Sequence, residues 1–391
     1  MIPRPAFSNH GGDSLLVAAN LALVTAHFRD RLARAQKAAA ESGLDALLIT
    51  PSTDLRYLIG YGAMPLERLT CLVVPAAGDP VLFVPLLEKP AAEASAVGQL
   101  GLDITAWGEA EDPYALVAAA IPAARAVAVD NHMWAEKVLG FRRALPAADQ
   151  RLAGDILHEL RMRKSPEEIE ELRRAGQAID RVHEQMGDWL RAGRSERDAC
   201  KDIADAIIAE GHVRVDFVIV GSGPNGASPH HDTSDRLIQP GDPVVVDIGG
   251  TTEAGYCSDE TRTYAVGEPP DDFLAYYEVL LVAQVAACDA VQPGIACEAV
   301  DAAARDVIAG AGYGEYFVHR TGHGIGLDVH EDPYIVAGND LLLEPGMTFS
   351  IEPGIYLPGR HGARIEDIVA CTETGVERLN LRPRELTVLP A

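Results

Sequence analysis

Two pairs of carboxylates stand inside segments that have the apolar pattern of strands. Asp247 lies in VVVDIGG and is followed after 12 residues by Asp259, and Glu352 lies in FSIEPGI and is followed after 14 residues by Glu366. Glycine-rich segments separate the members of each pair, which predicts two hairpins in which each acid directly faces its partner. A charge buried without a partner costs on the order of several kcal/mol, and opposed acids also repel.

The nearest basic side chains in sequence are Arg262 and Arg364. A single acid could cap a turn or pair with such an arginine, but four acids on a repeated frame require more positive charge, and divalent cations would supply it. Two cations about 3.5–4 Å apart hold a bridging water as hydroxide and polarise a carbonyl, which is hydrolase chemistry. The chain contains no GxSxG segment and no marked Cys–His pair, which disfavours an acyl-enzyme mechanism.

Two glycine- and proline-rich loops supply histidines ahead of the acidic strands. RTGHGIGLDVHE carries His323 and His330, and SGPNGASPHHD carries His230 and His231. A lone histidine is usually a packed or exposed residue, but two such loops favour a joint site. Carboxylates with about one imidazole form a hard, oxygen-rich ligand set that suits Mn²⁺, Co²⁺ or Zn²⁺ rather than a cysteine-bound structural zinc.

The elements that must position these residues occur twice. QPGDPVVVDIGG (239–250) and EPGMTFSIEPGI (344–355) align without a gap at an offset of 105 residues, which places Asp247 on Glu352. Two helical segments precede the strands in each copy. The pattern predicts a duplicated α+β domain over residues 156–391.

The first 155 residues alternate short apolar runs, such as DALLIT and AVAVD, with helical patterns, which predicts a separate α/β domain. CLVVP and PVLFVP, joined by AAGD, form a predicted hairpin. This domain contains no GxGxxG or GxxxxGK[ST] segment, so it shows no sign of binding a nucleotide. Ser165, Pro166 and Glu168 mark a capped helix start just beyond the expected division at 155/156.

Composition limits the classes of partner. The 391 residues include 33 Lys and Arg against 58 Asp and Glu, a formal net charge of −25. Binding to nucleic acid or to anionic lipid is therefore not expected, because both need a basic face. The six cysteines form no CxxC pair, which favours reduced thiols in the cytoplasm over a disulfide framework. We interpret the apolar stretch Leu15–Val24 as part of an ordinary helix rather than a signal peptide.

On these segments the chain resembles the pita-bread metallopeptidases, which include prolidase, aminopeptidase P and methionine aminopeptidase. The matching stretches, in the family's order, are VIVGSGPNGASPHHD, VVVDIGGTTEAGYCSDETRTY, RTGHGIGLDVHEDPY, FSIEPGIYLPG and ARIEDIVACTE. The first 155 residues resemble the creatinase/prolidase N-terminal domain in layout, which disfavours methionine aminopeptidase. The resemblance implies a C-terminal pita-bread catalytic domain, a homodimer and two divalent cations, with Mn²⁺ expected before Co²⁺ or Zn²⁺.

The resemblance also implies the site residues. Five metal ligands fall on Asp247, Asp259, His323, Glu352 and Glu366. Glu352 would also transfer protons with the bridging water, and His230 and His330 would be catalytic residues that contact the substrate. Arg364, in the RIED segment, would bind substrate and help to order the site. The gap between the two aspartates is one residue longer than in many members, which predicts a β-bulge.

The implied activity is hydrolysis of Xaa-Pro bonds at the free N-terminus of dipeptides or short peptides. Typical prolidases carry an arginine after His-Glu-x-Pro that holds the dipeptide carboxylate, whereas HEDPY places Tyr334 there. Arg360 and Arg364 are then the available cations. Dipeptides are expected as the better substrates, with aminopeptidase P activity on longer peptides as the alternative. A creatinase- or ectoine-hydrolase-like enzyme and a non-catalytic binding module are less favoured, because creatinase-like and non-catalytic members have lost ligands that are intact here.

Overall fold

The chain folds as two compact units that divide between Arg161 and Met162. The computed structural model describes residues 11–391, with side chains from residue 25 onward. The expected division at 155/156 falls inside the helix that ends at Met162. The stretch Leu15–Val24 is helical, and its side chains lie outside the described part.

The first unit is a mixed sheet with helices. Its strands are β1 (Ala46–Ile49), β2 (Cys71–Pro75), β3 (Val81–Pro85), β4 (Asp103–Trp107), β5 (Ala126–Val129) and β6 (Asp149–Leu152). Its helices are α1 (Gly11–Glu41), α2 (Thr53–Ile59), α3 (Lys89–Ala94), α4 (Ala96–Leu100), α5 (Pro113–Ala120), α6 (Ala135–Ala144) and α7 (Gly154–Met162). The strand order is β4-β3-β2-β1-β5-β6.

Strand pairing in this sheet follows the sequence pattern. β2 and β3 pair antiparallel, which confirms the predicted hairpin of CLVVP and PVLFVP. β1 pairs antiparallel with β2 and parallel with β5. All four residues of β1 are buried, as in a central strand that is covered on both faces.

The second unit carries three sheets. Its strands are β7 (His212–Ser222), β8 (Pro243–Thr252), β9 (Glu260–Val266), β10 (Gly322–Gly324), β11 (Glu331–Ile335), β12 (Thr348–Ile351), β13 (Gly354–Leu357), β14 (His361–Arg364), β15 (Asp367–Thr372), β16 (Gly375–Arg378) and β17 (Thr387–Leu389). Its helices are α8 (Pro166–Glu184), α9 (Met186–Trp189), α10 (Glu196–Ala209), α11 (Asp271–Ala290) and α12 (Cys297–Gly310). The sheets have the orders β17-β9-β8-β7, β11-β10-β12-β15-β16 and β13-β14.

The start of α8 is the predicted one. The Ser165 side chain accepts a hydrogen bond from the Glu168 N–H, and the Glu168 carboxylate accepts one from the Ser165 N–H, which completes the capping box.

The second unit repeats one pattern, as the sequence predicts. At the 105-residue offset, the pair Val246–Arg262 in the β8–β9 ladder corresponds to the pair Ile351–Asp367 in the β12–β15 ladder. Helices α10 and α12 have 14 residues each and precede these strands in the two copies. The duplication is therefore one of strand register as well as of sequence.

Each copy has its own apolar core. Helices α8 and α10 pack with β8 and β9, and α11 and α12 pack with β12 and β15. By length and composition alone, α11 could cross a membrane. Its large side chains Phe273, Tyr276 and Leu280 are fully buried in the second core, so we interpret α11 as a core helix.

Candidate metal centre and active site

The first pair of acids lies on β8 and just before β9, but the two acids are not face to face. Asp247 pairs with Thr261, and Asp259 lies two residues before Thr261. Because side-chain direction alternates along a strand, Asp259 takes the diagonal position on the face of Asp247. The predicted direct pairing is wrong. The bridge between Thr251 and Cys257 closes the turn in the register that places Thr261, and not Asp259, across from Asp247. The expected bulge between the acids is wrong as well: the described β8–β9 ladder is continuous, and the register shifts lie between β7 and β8.

The second pair of acids is face to face. The β12–β15 and β13–β14 ladders keep one register on either side of it, so Glu352 lies opposite Glu366, as predicted. Between the ladders the strands turn to other partners. The Glu352 N–H donates to the Thr321 carbonyl over 2.8 Å, and the Glu366 N–H donates to the Thr261 carbonyl over 3.1 Å. These bonds join the second pair to the loop before His323 and to the first hairpin.

His323 on β10 reaches both pairs. Its Nε2 lies 3.5 Å from Asp259 Oδ2 and 3.3 Å from Glu352 Oε1. Its Nδ1 lies 3.0 Å from the Gly324 carbonyl oxygen, and an N–H donated there leaves the Nε2 lone pair facing the acids, as a metal ligand requires. One ligand atom from each of Asp259, His323 and Glu366 lies within 4.8 Å of the others, and all three residues are buried.

Burial and mutual repulsion raise the pKa values of these acids. The pKa of Asp259 lies well above its ordinary value because of burial, and then because of the charges on Glu366 and Asp247. Burial and the charge on Glu352 raise the pKa of Glu366 in the same way. Burial raises the pKa of Glu352 to about 7 and lowers that of His323 to about 3. The ionised cluster is therefore short of positive charge.

The side chains present fit divalent cations. Two buried carboxylate oxygens, Asp247 Oδ1 and Glu366 Oε1, have no hydrogen-bond partner among the described residues. Such an oxygen is costly to bury unless it binds a donor or a metal. Four carboxylates and one imidazole match the donor set that Mn²⁺, Co²⁺ and Zn²⁺ accept. The residues that would hold the metal are Asp247, Asp259, His323, Glu352 and Glu366.

Arg364 is a buried cation that binds residues of the acid cluster. Its guanidinium forms an ion pair with Asp247 and donates to Thr261 Oγ1 over 3.0 Å. Arg360, the other arginine considered for the substrate carboxylate, is exposed and pairs with Asp272 at the start of α11. The structure thus brings Arg364 to the metal site in an ordering position and leaves Arg360 at the surface.

His330 and His230 lie on the exposed side of the cluster. The centroid of the His330 ring is 4.0 Å from that of His323. Burial lowers the pKa of His330, and the charges of Arg320 and His230 lower it further, which places His230 within electrostatic range. Both histidines are partly open to solvent whereas His323 is buried, so they can meet a substrate.

Glu196 anchors the loop that carries His230, and the sequence did not single it out. Glu196 is the first residue of α10 and is fully buried. Its carboxylate accepts hydrogen bonds from the Ser222 N–H and hydroxyl and from the Ser234 hydroxyl, and it lies 2.9 Å from His231 Nε2. Acids are common in the first turn of any helix, so this position offered no distinctive pattern.

Comparison with known proteins decides the family. The family model for "Metallopeptidase family M24" matches residues 170–373, and the model for "Creatinase/Prolidase N-terminal domain" matches residues 31–163. The chain belongs to metallopeptidase family M24. The expected architecture, a creatinase/prolidase-like domain followed by a pita-bread catalytic domain, is confirmed.

Relatives of this M24 chain match it over nearly its whole length. A "Probable dipeptidase PepE" of Mycobacterium tuberculosis is 57% identical over 361 residues, which cover 92% of this chain and 96% of that protein. An "Xaa-Pro dipeptidase" of Lactobacillus delbrueckii subsp. lactis is 38% identical over 361 residues, which cover 90% and 96%. The crystal structure of dipeptidase PepE from Mycobacterium ulcerans matches with a TM-score of 0.90 at 55% identity, covering 94% of this chain and 99% of that one. The M24 chain is therefore a peptidase.

Proposed function

We propose that this M24 peptidase hydrolyses Xaa-Pro dipeptides at a site that holds two divalent cations. The observation that carries the proposal is the buried cluster around His323, in which oxygens of Asp247 and Glu366 lack partners among the described residues. Relatives named as dipeptidases, one of them an Xaa-Pro dipeptidase, support dipeptides as substrates. Two bound cations, with Mn²⁺ as the expected metal, would activate water and polarise the peptide carbonyl.

The chain's own side chains divide the remaining tasks. Glu352, whose Oε1 accepts a hydrogen bond from the Ser350 hydroxyl over 3.0 Å, takes the proton of the attacking water and passes it to the leaving nitrogen. His330 and His230 contact the substrate around the scissile carbonyl. The acylated nitrogen of proline carries no N–H, so the site recognises this bond by the shape of the ring rather than by that donor.

Aminopeptidase P activity on longer Xaa-Pro peptides is the second candidate. All five proposed ligands are present, which argues against the creatinase-like and non-catalytic alternatives. The six cysteines are free and buried, which supports the proposal of a cytoplasmic location. A homodimer is proposed on the resemblance alone.

A substrate panel tests this function. Purified protein is loaded with Mn²⁺, Co²⁺ or Zn²⁺ and given Ala-Pro, Ala-Pro-Ala and Ala-Ala. We expect Ala-Pro to be cleaved fastest and Ala-Ala poorly. Much faster turnover of Ala-Pro-Ala would favour aminopeptidase P activity, and cleavage of neither proline peptide would remove the proposal.

A further inference from the structure

Among the described residues, Arg320 differs from the other arginines of the second unit in having no acidic partner. Within residues 162–391, all of which the structure describes, every other arginine forms an ion pair with an aspartate or glutamate. The whole chain has 58 acidic residues against 33 basic ones, so partners are plentiful. A half-buried guanidinium without a carboxylate is suited to a carboxylate that arrives with a ligand.

An aromatic ring holds the Arg320 side chain in place. Its guanidinium carbon lies 4.4 Å from the centroid of the Tyr334 ring, and Tyr334 pairs with His323 across the β10–β11 ladder. Stacking on the ring occupies one face of the guanidinium and leaves the N–H donors at its edge for a ligand. The next residue, Thr321, accepts the Glu352 N–H, so the backbone beside Arg320 is tied to the acid cluster.

The charge of Arg320 acts on the residues proposed to surround the substrate. Burial is the main cause that lowers the pKa of His330, and Arg320 is the next. Burial and the neighbouring His330 lower the pKa of His323, with a further contribution from Arg320. Arg320 also opposes the rise in the pKa of Glu352. The guanidinium is therefore within electrostatic range of His330 and of the proposed ligands His323 and Glu352.

The other two cations considered for this task are already engaged. Arg364 is buried and paired with Asp247, and Arg360 is paired with Asp272 at the surface. Two bound divalent cations would offset the four carboxylates of the cluster, so the cluster has no positive charge to spare for the α-carboxylate of a dipeptide. An arginine at the carboxylate end of the substrate would supply that charge.

We propose that Arg320 is the specificity-determining residue that binds the free α-carboxylate of a dipeptide substrate. The inference rests on the proposed function and adds the reason why that function favours dipeptides. The edge of the guanidinium offers two parallel N–H donors, which match the two oxygens of a carboxylate. Tyr334 keeps the guanidinium plane fixed, so less side-chain freedom is lost on binding.

The test compares a free acid with its amide. Wild-type enzyme, Arg320→Met and Arg320→Lys are assayed in the metal-loaded form with Ala-Pro and with Ala-Pro amide, which lacks the carboxylate charge. We expect Arg320→Met to raise KM for Ala-Pro by about 10–100-fold, the range for a lost charge-assisted hydrogen bond. Its kcat, its metal content and its KM for the amide should stay near those of wild type. Arg320→Lys should fall between, because an ammonium keeps the charge but not the paired donors.

Arg174→Ala is the matched control, because Arg174 is an exposed arginine of α8 that pairs only with neighbouring acids of the same helix. It should leave both substrates unaffected. Equal changes for acid and amide in Arg320→Met, or no change, would overturn the inference while wild type still cleaves Ala-Pro. Failure of wild type to cleave any proline peptide would instead reject the proposed function. Metal content and melting temperature of each variant show whether a loss comes from misfolding, and Arg320→Lys then repeats the comparison with a side chain of similar length.

Discussion

The two hairpins of the catalytic unit share a register but carry their charges at different places. Both have an acid on their first strand. Across from it, the first hairpin has Thr261, and the second has Glu366 at the corresponding position. Two residues earlier, the first hairpin has Asp259, and the second has Arg364. The copies therefore have the same backbone frame with acid and non-acid positions exchanged.

The exchanged positions contact each other across the two copies, so the exchange decides the charge of each contact. Arg364 of the second copy pairs with Asp247 of the first, and that contact is neutral. In the reciprocal contact, Asp259 and Glu352 both lie close to His323 Nε2, so two acids share one imidazole. The first contact is structural, and the second has the excess negative charge that divalent cations suit.

A third contact between the copies also joins residues of opposite charge. Arg262 and Asp367 correspond at the 105-residue offset and lie 2.7 Å apart, both buried. Although burial opposes it, Arg262, with Arg384 and Arg378, lowers the pKa of Asp367 to about 2. Where corresponding positions of the two copies carry opposite charges, the contact holds the halves together, and where both carry acids, the contact can bind metal.

The largest effect is expected at Glu352, which shares His323 with Asp259 in the contact that contains no arginine. Glu352→Gln keeps the shape of the side chain but removes its charge and its ability to accept the proton. We expect turnover of Ala-Pro to fall by at least about 10²–10⁴-fold, the range for a positioned acid–base group. Steady-state assays of the metal-loaded variant measure this, and near-normal turnover would contradict the role of Glu352.

A loss of stability is expected when the neutral contact between Arg364 and Asp247 is broken. Arg364→Met leaves Asp247 buried without its cation, so the free energy of unfolding of the metal-free protein should fall by about 3–5 kcal/mol. Arg360→Met, at an exposed ion pair in the same hairpin, should change it by at most about 1 kcal/mol. Urea unfolding with a chelator present measures both. Equal small losses would show that Arg364 does not hold the acids in place.

The smallest effect is expected at Thr261, which occupies in the first hairpin the position that Glu366 occupies in the second. Thr261 Oγ1 donates to Glu366 Oε2 over 2.7 Å, so Thr261→Val removes the donor but not the shape. Metal affinity should weaken by about 10–100-fold, as for other residues that orient a ligand. Competition with a chromogenic chelator measures it. Thr261→Ser keeps the hydroxyl and should bind metal nearly as wild type does; identical affinities of the two variants would rule out this role.

Much of this arrangement could be predicted from local patterns. An acid inside an apolar strand, its repetition at a constant offset and the capping box at Ser165 are all visible in neighbouring residues. The facing of Glu352 and Glu366 followed from the hairpin pattern. The predicted facing of Asp247 and Asp259 was wrong. The turn after β8 sets the register of this hairpin, and the sequence does not show that Thr251 and Cys257 form the bridge that closes the turn.

The residues that were missed depend on approach between distant segments. Glu196 has unremarkable neighbours in sequence. Thr261 and Arg320 lie beside proposed ligands in the motifs, but their roles depend on partners on other elements, which the sequence does not show. The sequence leaves Arg360 and Arg364 available for substrate because it does not show that Asp272 and Asp247 already bind them. Pairing between charges is a property of the fold, so the choice among arginines required the structure.

Metal counting during removal and reconstitution tests the central claim most directly. Protein is exhaustively chelated, checked by elemental analysis, assayed on Ala-Pro, and then titrated with Mn²⁺ while activity and bound metal are followed together. The account predicts that the chelated protein is inactive and that activity returns in step with metal bound at the shared cluster, whereas Glu366→Gln binds less metal and regains little activity. Full activity in the metal-free protein, or normal metal binding by Glu366→Gln, would contradict the claim that the two halves jointly build a catalytic metal centre.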